Sequence, residues 1–253
     1  MTGRRGWVLV TGASRGIGAA VAERLATDGF DLVLWARSAD GLASTAAAVE
    51  AAGGAVRTAV VDVGDADQVT AASAHLAEPL AGVVLNAGSG RWSPLSDVDL
   101  DDWDRTLRTN LHGAFHTLRA TVPRLVARRA GLIVGVLSDS VLYPHADRTA
   151  YSASKAGMGA LLESVRREVR HLGVRVSALL PSRVDTHFQG SHADAAPGTR
   201  VGALTAAEVA GVVATLFAAP PGVEIRHLQL AAMTATYGPF PERVEQWALT
   251  RGH

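Results

Sequence analysis

A glycine loop set between a strand and a helix constrains this chain more than any other feature. Val8-Leu9-Val10 runs directly into Thr11-Gly12-Ala13-Ser14-Arg15-Gly16-Ile17-Gly18, after which Ile17, Val21 and Leu25 share one helical face and Gly29 sits where a helix would stop. Glycines here let the backbone turn tightly, approach a pyrophosphate closely and pack the helix on the sheet. The first helical turn then offers unpaired N–H groups to the phosphates. The spacing is G-x-x-x-G-x-G rather than the commoner G-x-G-x-x-G. Read differently, Gly12-Ala13-Ser14-Arg15-Gly16 spells the G-x-S-x-G elbow of a serine hydrolase, with Ser14 as nucleophile and a later pair such as Asp185 and His227. That reading has no earlier strand to supply an oxyanion loop, and it leaves Gly18 without a role.

Beyond the loop, apolar runs alternate with helical patterns to the end of the chain. Strand-like runs fall at 7–10, 32–35, 56–61, 82–85, 132–137, 174–180 and 224–230. Helices are expected from Ile17 onward, over 42–52, where Gly53-Gly54 ends the run, and over 103–129 and 151–172, with a kink at Pro123. Nearly continuous apolar strands alternating with helices imply a parallel sheet covered on both faces. No repeat, linker or charge block divides the chain, so residues 1–253 are expected to form one α/β domain, a Rossmann-type doubly wound parallel sheet of about seven strands.

Composition excludes several chemistries. The chain has no cysteine, which removes disulfides, thiol nucleophiles and Cys-ligated zinc. Its formal net charge of zero argues against nucleic acid as a partner. Apolar runs such as 132–137 and 211–219 are too short to span a bilayer, and the run after Arg4-Arg5 is too short for a signal-peptide core. A cytoplasmic enzyme with no membrane partner is the expectation. Of the 24 basic residues, Lys155 is the sole lysine. A coding bias toward Arg would have filled that position too, so a compact ammonium is expected to matter there.

Several elements in a fixed order then make the chain closely resemble the short-chain dehydrogenase/reductase family over nearly its whole length. Thr11 to Gly18 matches T-G-x-x-x-G-I-G, and Asn86-Ala87-Gly88 matches most of N-N-A-G. Asn110 falls at the family's helix asparagine, and Ser138 precedes Tyr151 by thirteen residues. Tyr151-Ser152-Ala153-Ser154-Lys155 is the Y-x-x-x-K signature, and Pro181 to Thr186, with Val184 between, resembles P-G-x-V-x-T. Two positions depart from the pattern: Leu85 replaces the first Asn of N-N-A-G, and Ser182 replaces Gly after Pro181.

These residue types suit hydride chemistry. Reducing a carbonyl requires a proton for the developing alkoxide, and a tyrosine hydroxyl with a pKa of about 10 is a poor donor and acceptor at neutrality. Tyr151 and Lys155 lie four apart on one helix face, so the ammonium is expected to favour the phenolate and lower that value. The resemblance implies that Lys155 also binds the nicotinamide ribose, that Ser138 holds the substrate oxygen, and that Asn110 orders a water linked to Lys155. It also implies that Gly12, Ser14, Arg15, Gly16, Ile17, Gly18, Asn86, Ala87, Gly88, Pro181, Val184 and Thr186 border the cofactor, and Asp62 and Val63 the adenine. The second strand ends in Ala36-Arg37-Ser38, without the acidic residue that binds a ribose 2′-hydroxyl. Arg37 and Arg15 would instead accept a 2′-phosphate, which predicts NADP(H) over NAD(H).

The substrate is expected to be a small carbonyl compound or secondary alcohol, with Ser140, Tyr143, Pro144, Trp92 and Phe188 as pocket walls. A substrate loop is expected near residues 186–204, bringing His187 and His192, and a tail at 237–253, with Phe240 and Trp247, could cap the pocket. His112 and His116 lie four apart, but no third ligand is spaced to complete a metal site, so no metal is expected. The resemblance further implies a homodimer or homotetramer packed through the two long helices. A non-catalytic NADP-binding scaffold is the remaining alternative.

Overall fold

Side chains along the central strands alternate between two apolar layers, and that alternation positions every other element. The computed structural model describes residues 3–188, 198 and 201–235. The strands are β1 (Trp7–Thr11), β2 (Asp31–Ala36), β3 (Val56–Val60), β4 (Leu80–Leu85), β5 (Gly131–Val136), β6 (Val174–Pro181), β7 (Val184–Asp185), β8 (Leu204–Thr205) and β9 (His227–Leu230). The helices are α1 (Gly16–Thr27), α2 (Ala39–Ala51), α3 (Ala66–Ser73), α4 (Leu100–Leu107), α5 (Gly113–Arg128), α6 (Thr149–Val169) and α7 (Ala206–Ala218). Val8 and Val10 join Leu25 of α1, Val49 of α2 and Phe217 of α7 in one layer. Leu9, between them, joins Val69 of α3, Leu118 of α5 and Leu162 of α6 in the other. Both faces of the sheet are therefore covered, and the strands need no polar face.

Seven strands form one parallel sheet in the order β3-β2-β1-β4-β5-β6-β9. This is the expected Rossmann-type doubly wound sheet. The chain begins at the centre, runs outward to β3 and returns to β4, so the loops after β1 and β4 leave the sheet in opposite directions and open a crevice at its carboxyl edge. The short parallel pair β7–β8 lies outside the main sheet and joins the segment after Pro181 to the start of α7.

Four elements differ from the sequence reading. The expected helix over 103–129 is divided: α4 ends at Leu107, Arg108–His112 forms a π-helical turn, and α5 follows. The irregularity thus precedes Pro123, which stays inside α5. The last strand begins at His227 rather than at residue 224, because Glu224 turns its carboxylate to Arg166 and to the Val176 N–H. Helices α3 and α7 carry clear starts that the reading passed over. The Asp65 side chain accepts from the Asp67 and Gln68 N–H groups, and Thr205 and Glu208 form a capping box. Among the described residues, no helix is long and apolar enough to cross a membrane.

Candidate active site

The crevice at the β1–β4 divergence holds a cavity of about 960 Å³. Its floor is backbone. Asn86 Nδ2 donates to the carbonyls of Thr11 (3.0 Å) and Gly12 (3.2 Å), while Thr11 Oγ1 accepts from the N–H groups of Asn86 and Ala87. These bonds hold the loop after β1 against the loop after β4. Gly12 has φ +65°, and a Cβ there would lie 2.8 Å from the Ala87 Cα. Gly18 does not reach the cavity wall. It lets α1 pack on the loop, since a Cβ would stand 2.4 Å from the Gly12 carbonyl oxygen.

Gly12, Ser14, Arg15, Gly16, Ile17, Arg37, Ser38, Asp62, Val63, Asn86, Ala87, Gly88, Pro181, Val184 and Thr186 all line this cavity, as expected from the motif positions. The Ser38 hydroxyl also caps α2 by accepting from the Gly41 N–H. Arg15 and Arg37 are exposed at the rim, with no ion pair among the described residues. Asp62 accepts from the Gly64 N–H at 2.9 Å, which shapes the turn beneath the expected adenine site.

Ser138, Tyr151 and Lys155 meet at the other end. Ser138 leaves the end of β5, and its side chain interacts with the Tyr151 hydroxyl. One turn along α6, Lys155 is 4% exposed, donates to the Val136 carbonyl at 2.8 Å and places Nζ 5.8 Å from the Tyr151 ring centre. Burial, rather than the ammonium, dominates the tyrosine: it pushes the phenol above its ordinary value, while the Ser138 side chain pulls it down. The expected depression by Lys155 does not contribute in this geometry; the nearby cation that lowers the phenol is Arg148. Burial also lowers Lys155 itself, to about 8.

Asn110 stands behind the cavity wall, on the π-helical turn. Its Oδ1 accepts from the Ser89 N–H at 2.8 Å, and its Nδ2 donates to the Ser89 carbonyl and to Ser154 Oγ, each at 2.9 Å. The amide therefore pins the loop after β4 to α6. A Cβ on Gly88 would reach both Asn110 Oδ1 (3.4 Å) and Lys155 Nζ (3.5 Å), so the three residues converge.

The expected pocket walls separate into two groups. Trp92 and Phe188 line the cavity and enclose Tyr151, with ring centres 5.2 and 5.7 Å from its own. Ser140 and Tyr143 do not line it. Ser140 is 1% exposed and hydrogen-bonds Ser138 Oγ at 2.9 Å from behind, whereas Tyr143, beyond the short turn at Asp139–Val141, is 39% exposed on the outer surface. Pro144 is likewise exposed and away from the cavity. His187 is at the rim; His192, Phe240 and Trp247 lie outside the described residues.

Sequence reasoning missed Asp139, His145, Arg148 and Arg183, all of which line the cavity that Tyr151 borders. Asp139 follows Ser138 directly, and Arg148 precedes Tyr151 by one helical turn, so spacing held a signal for both. Burial raises the Asp139 carboxyl and lowers the His145 imidazole. Ser14 also borders the cavity, but His227 opens the edge strand β9 and does not line it, so the structure assembles no Ser14–His227 pair. His116 Nδ1 lies 3.0 Å from the Val63 carbonyl oxygen, and its ring centre is 6.4 Å from that of His112.

The fold and its crevice define a Rossmann-type oxidoreductase, and the chain belongs to the short chain dehydrogenase family, whose model matches residues 6–196. It is 35% identical over 204 residues to glycine betaine reductase ATRR of Emericella nidulans, covering 79% of this chain but only 16% of that protein. It is 39% identical over 186 residues to the 3-oxoacyl-[acyl-carrier-protein] reductase FabG of Aggregatibacter actinomycetemcomitans, covering 71% of this chain and 76% of that one. Among solved structures, an alcohol dehydrogenase from the archaeon Thermococcus sibiricus, complexed with 5-hydroxy-NADP, superposes with a TM-score of 0.84 at 32% identity, covering 90% of this chain and 97% of the other.

Proposed function

We propose that this chain transfers a hydride reversibly between NADP(H) and a carbonyl compound or secondary alcohol, with Tyr151 as general acid and base. The observation that carries the reading is the meeting of the Ser138 and Tyr151 hydroxyls, with Lys155 one turn behind them, at one end of a backbone-floored cavity.

The residues present fit the cofactor. The floor at Gly12 is bare backbone, and Ser182 offers a buried hydroxyl with no hydrogen-bond partner among the described residues. Arg15 and Arg37 present guanidinium groups at the end where a 2′-phosphate would lie, and the Thermococcus sibiricus relative was solved with an NADP derivative. When bound, the nicotinamide supplies the hydride in reduction and accepts it in oxidation. The chain's own residues do the rest. Ser138 donates to the carbonyl oxygen and fixes its position; Tyr151 releases its proton to that oxygen as charge develops there. Lys155, protonated below about pH 8, binds the ribose hydroxyls. Asn110 keeps the loop after β4 and helix α6 at the spacing this requires. Trp92 and Phe188 exclude water around the tyrosine.

Packing through α5 and α6 into a homodimer or homotetramer belongs to the same reading; Phe115, 48% exposed on α5, is a side chain that such packing would cover. Incubation with NADPH and a panel of ketones, followed by absorbance, tests the activity. Tyr151→Phe should lower turnover by on the order of 10³-fold, while direct titration finds NADPH affinity retained and tighter than that for NADH. Near-normal turnover by that variant would sink the mechanism. Binding of NADPH with no turnover of any ketone by the unaltered protein would favour a scaffold instead.

A further inference from the structure

We infer that the substrate carries a carboxylate, held by Arg148 at the substrate end of the cavity. This rests on the hydride-transfer reading and adds the substrate's chemical class.

Arg148 caps the start of α6 without using its side chain to do so, which leaves the guanidinium for other contacts. It is half-buried in the cavity wall, with Cζ 4.7 Å from the centre of the Trp92 ring. That ring stands edge-on to Tyr151 at 5.2 Å. One aromatic ring thus separates the guanidinium from the proton donor, a distance that a substrate of a few carbon atoms spans. The arrangement is held in place: the Ser93 N–H, next to Trp92, donates to the carbonyl of Asp147, next to Arg148, at 2.9 Å. Contact with the Trp92 ring restrains the guanidinium and lowers the entropy lost when its fork binds a carboxylate.

The surrounding charges favour an anion. No carboxylate of the described residues lies in ion-pair contact with Arg148. Arg183, His145 and His187 line the same end from neighbouring walls. Asp139 is the one acidic side chain among the described residues lining that end. It is 7% exposed and turned to Ser138, whose hydroxyl donates to it at 3.2 Å. Arg148 therefore faces the cavity with no carboxylate in ion-pair contact among the described residues.

The test compares short oxo acids with their methyl esters as substrates, using the intact protein and NADPH. The unaltered protein should show a kcat/KM ratio of acid to ester of about tenfold to a hundredfold, the range for a charge-assisted hydrogen bond. Arg148→Met should collapse that ratio, and Arg148→Lys should retain part of it. Calorimetric binding of the corresponding hydroxy acid to the NADP⁺ complex gives a readout without turnover and should weaken in the same order. Equal handling of acid and ester by the unaltered protein, or a ratio unmoved in both variants, overturns the inference and leaves the hydride-transfer reading standing. Failure to reduce either member of every pair overturns the inference, and failure on the ketone panel as well, with NADPH bound, overturns both. Should Arg148→Met not fold, the unaltered ratio and the Lys variant still decide the matter.

Discussion

The two ends of the cavity are built from different materials. At the glycine-loop end, the wall is main chain, positioned by strand register and by the Asn86 and Thr11 hydrogen bonds. At the Tyr151 end, the wall is side chain: Trp92, Asp139, Arg148 and Phe188 come from three separate segments. Main chain offers the same donors whatever the surrounding sequence, so the first end suits a constant ligand. Side chains on loops vary without disturbing the sheet, so the second end suits a ligand that differs from one relative to the next.

The first way to break this comparison is at Gly18. An added methyl would stand 2.4 Å from the Gly12 oxygen and 2.5 Å from Asn86 Nδ2, so the loop and the stitch between β1 and β4 must both move. Gly18→Ala is expected to abolish measurable NADPH binding and to cost about 1–3 kcal/mol of stability, read by titration and by denaturant unfolding. Retained affinity would show that the main-chain floor tolerates rearrangement.

A pH profile probes the point where the two ends join. Lys155 is lowered to about 8, so its ammonium is present below that pH and lost above it. Tyr151, raised by burial, stays protonated through the same range and cannot cause a decline there. The kcat/KM for carbonyl reduction should therefore be flat below about pH 8 and fall by about tenfold per unit above it, accompanied by weaker NADPH binding. A profile that stays flat well past that point would show the ammonium is not required.

The smallest effect is expected at the variable end. Trp92→Leu removes the ring between Arg148 and Tyr151 while leaving the floor intact. It should raise the ketone KM several-fold, by an amount worth about 0.5–1.5 kcal/mol, with NADPH affinity unchanged. A parallel loss of cofactor affinity would show that the two ends are coupled.

The same division governs what was legible in the sequence. Continuous apolar runs located the central strands, because a strand buried on both faces has no polar side to obscure it. Tyr151, Lys155 and Ser138 were legible because helix pitch and one strand end fix their relation. Helix α7 was not, because an almost wholly apolar segment shows no periodic face; its Thr205–Glu208 capping box was the available sign. Tyr143 was expected at the wall and Arg148 was not, although they lie five positions apart in one loop. Which of the two faces the cavity depends on the turn at Asp139–Val141 and on the Ser93–Asp147 bond. Neither has a local signature.

The wide turn at Arg108–His112 places a constraint of another kind on the chain. A π-helical turn holds one residue more than the helix around it needs, and each α-helical residue advances the chain by about 100°. Deleting one of these five residues would restore a regular helix with α4 and α5 in nearly their present phase, so Thr106 and Ala114 would both stay buried. What deletion would remove is the widened backbone from which Asn110 reaches Ser89 and Ser154. Relatives that keep Asn110 in its place are therefore expected to keep the segment's length even where its residues differ.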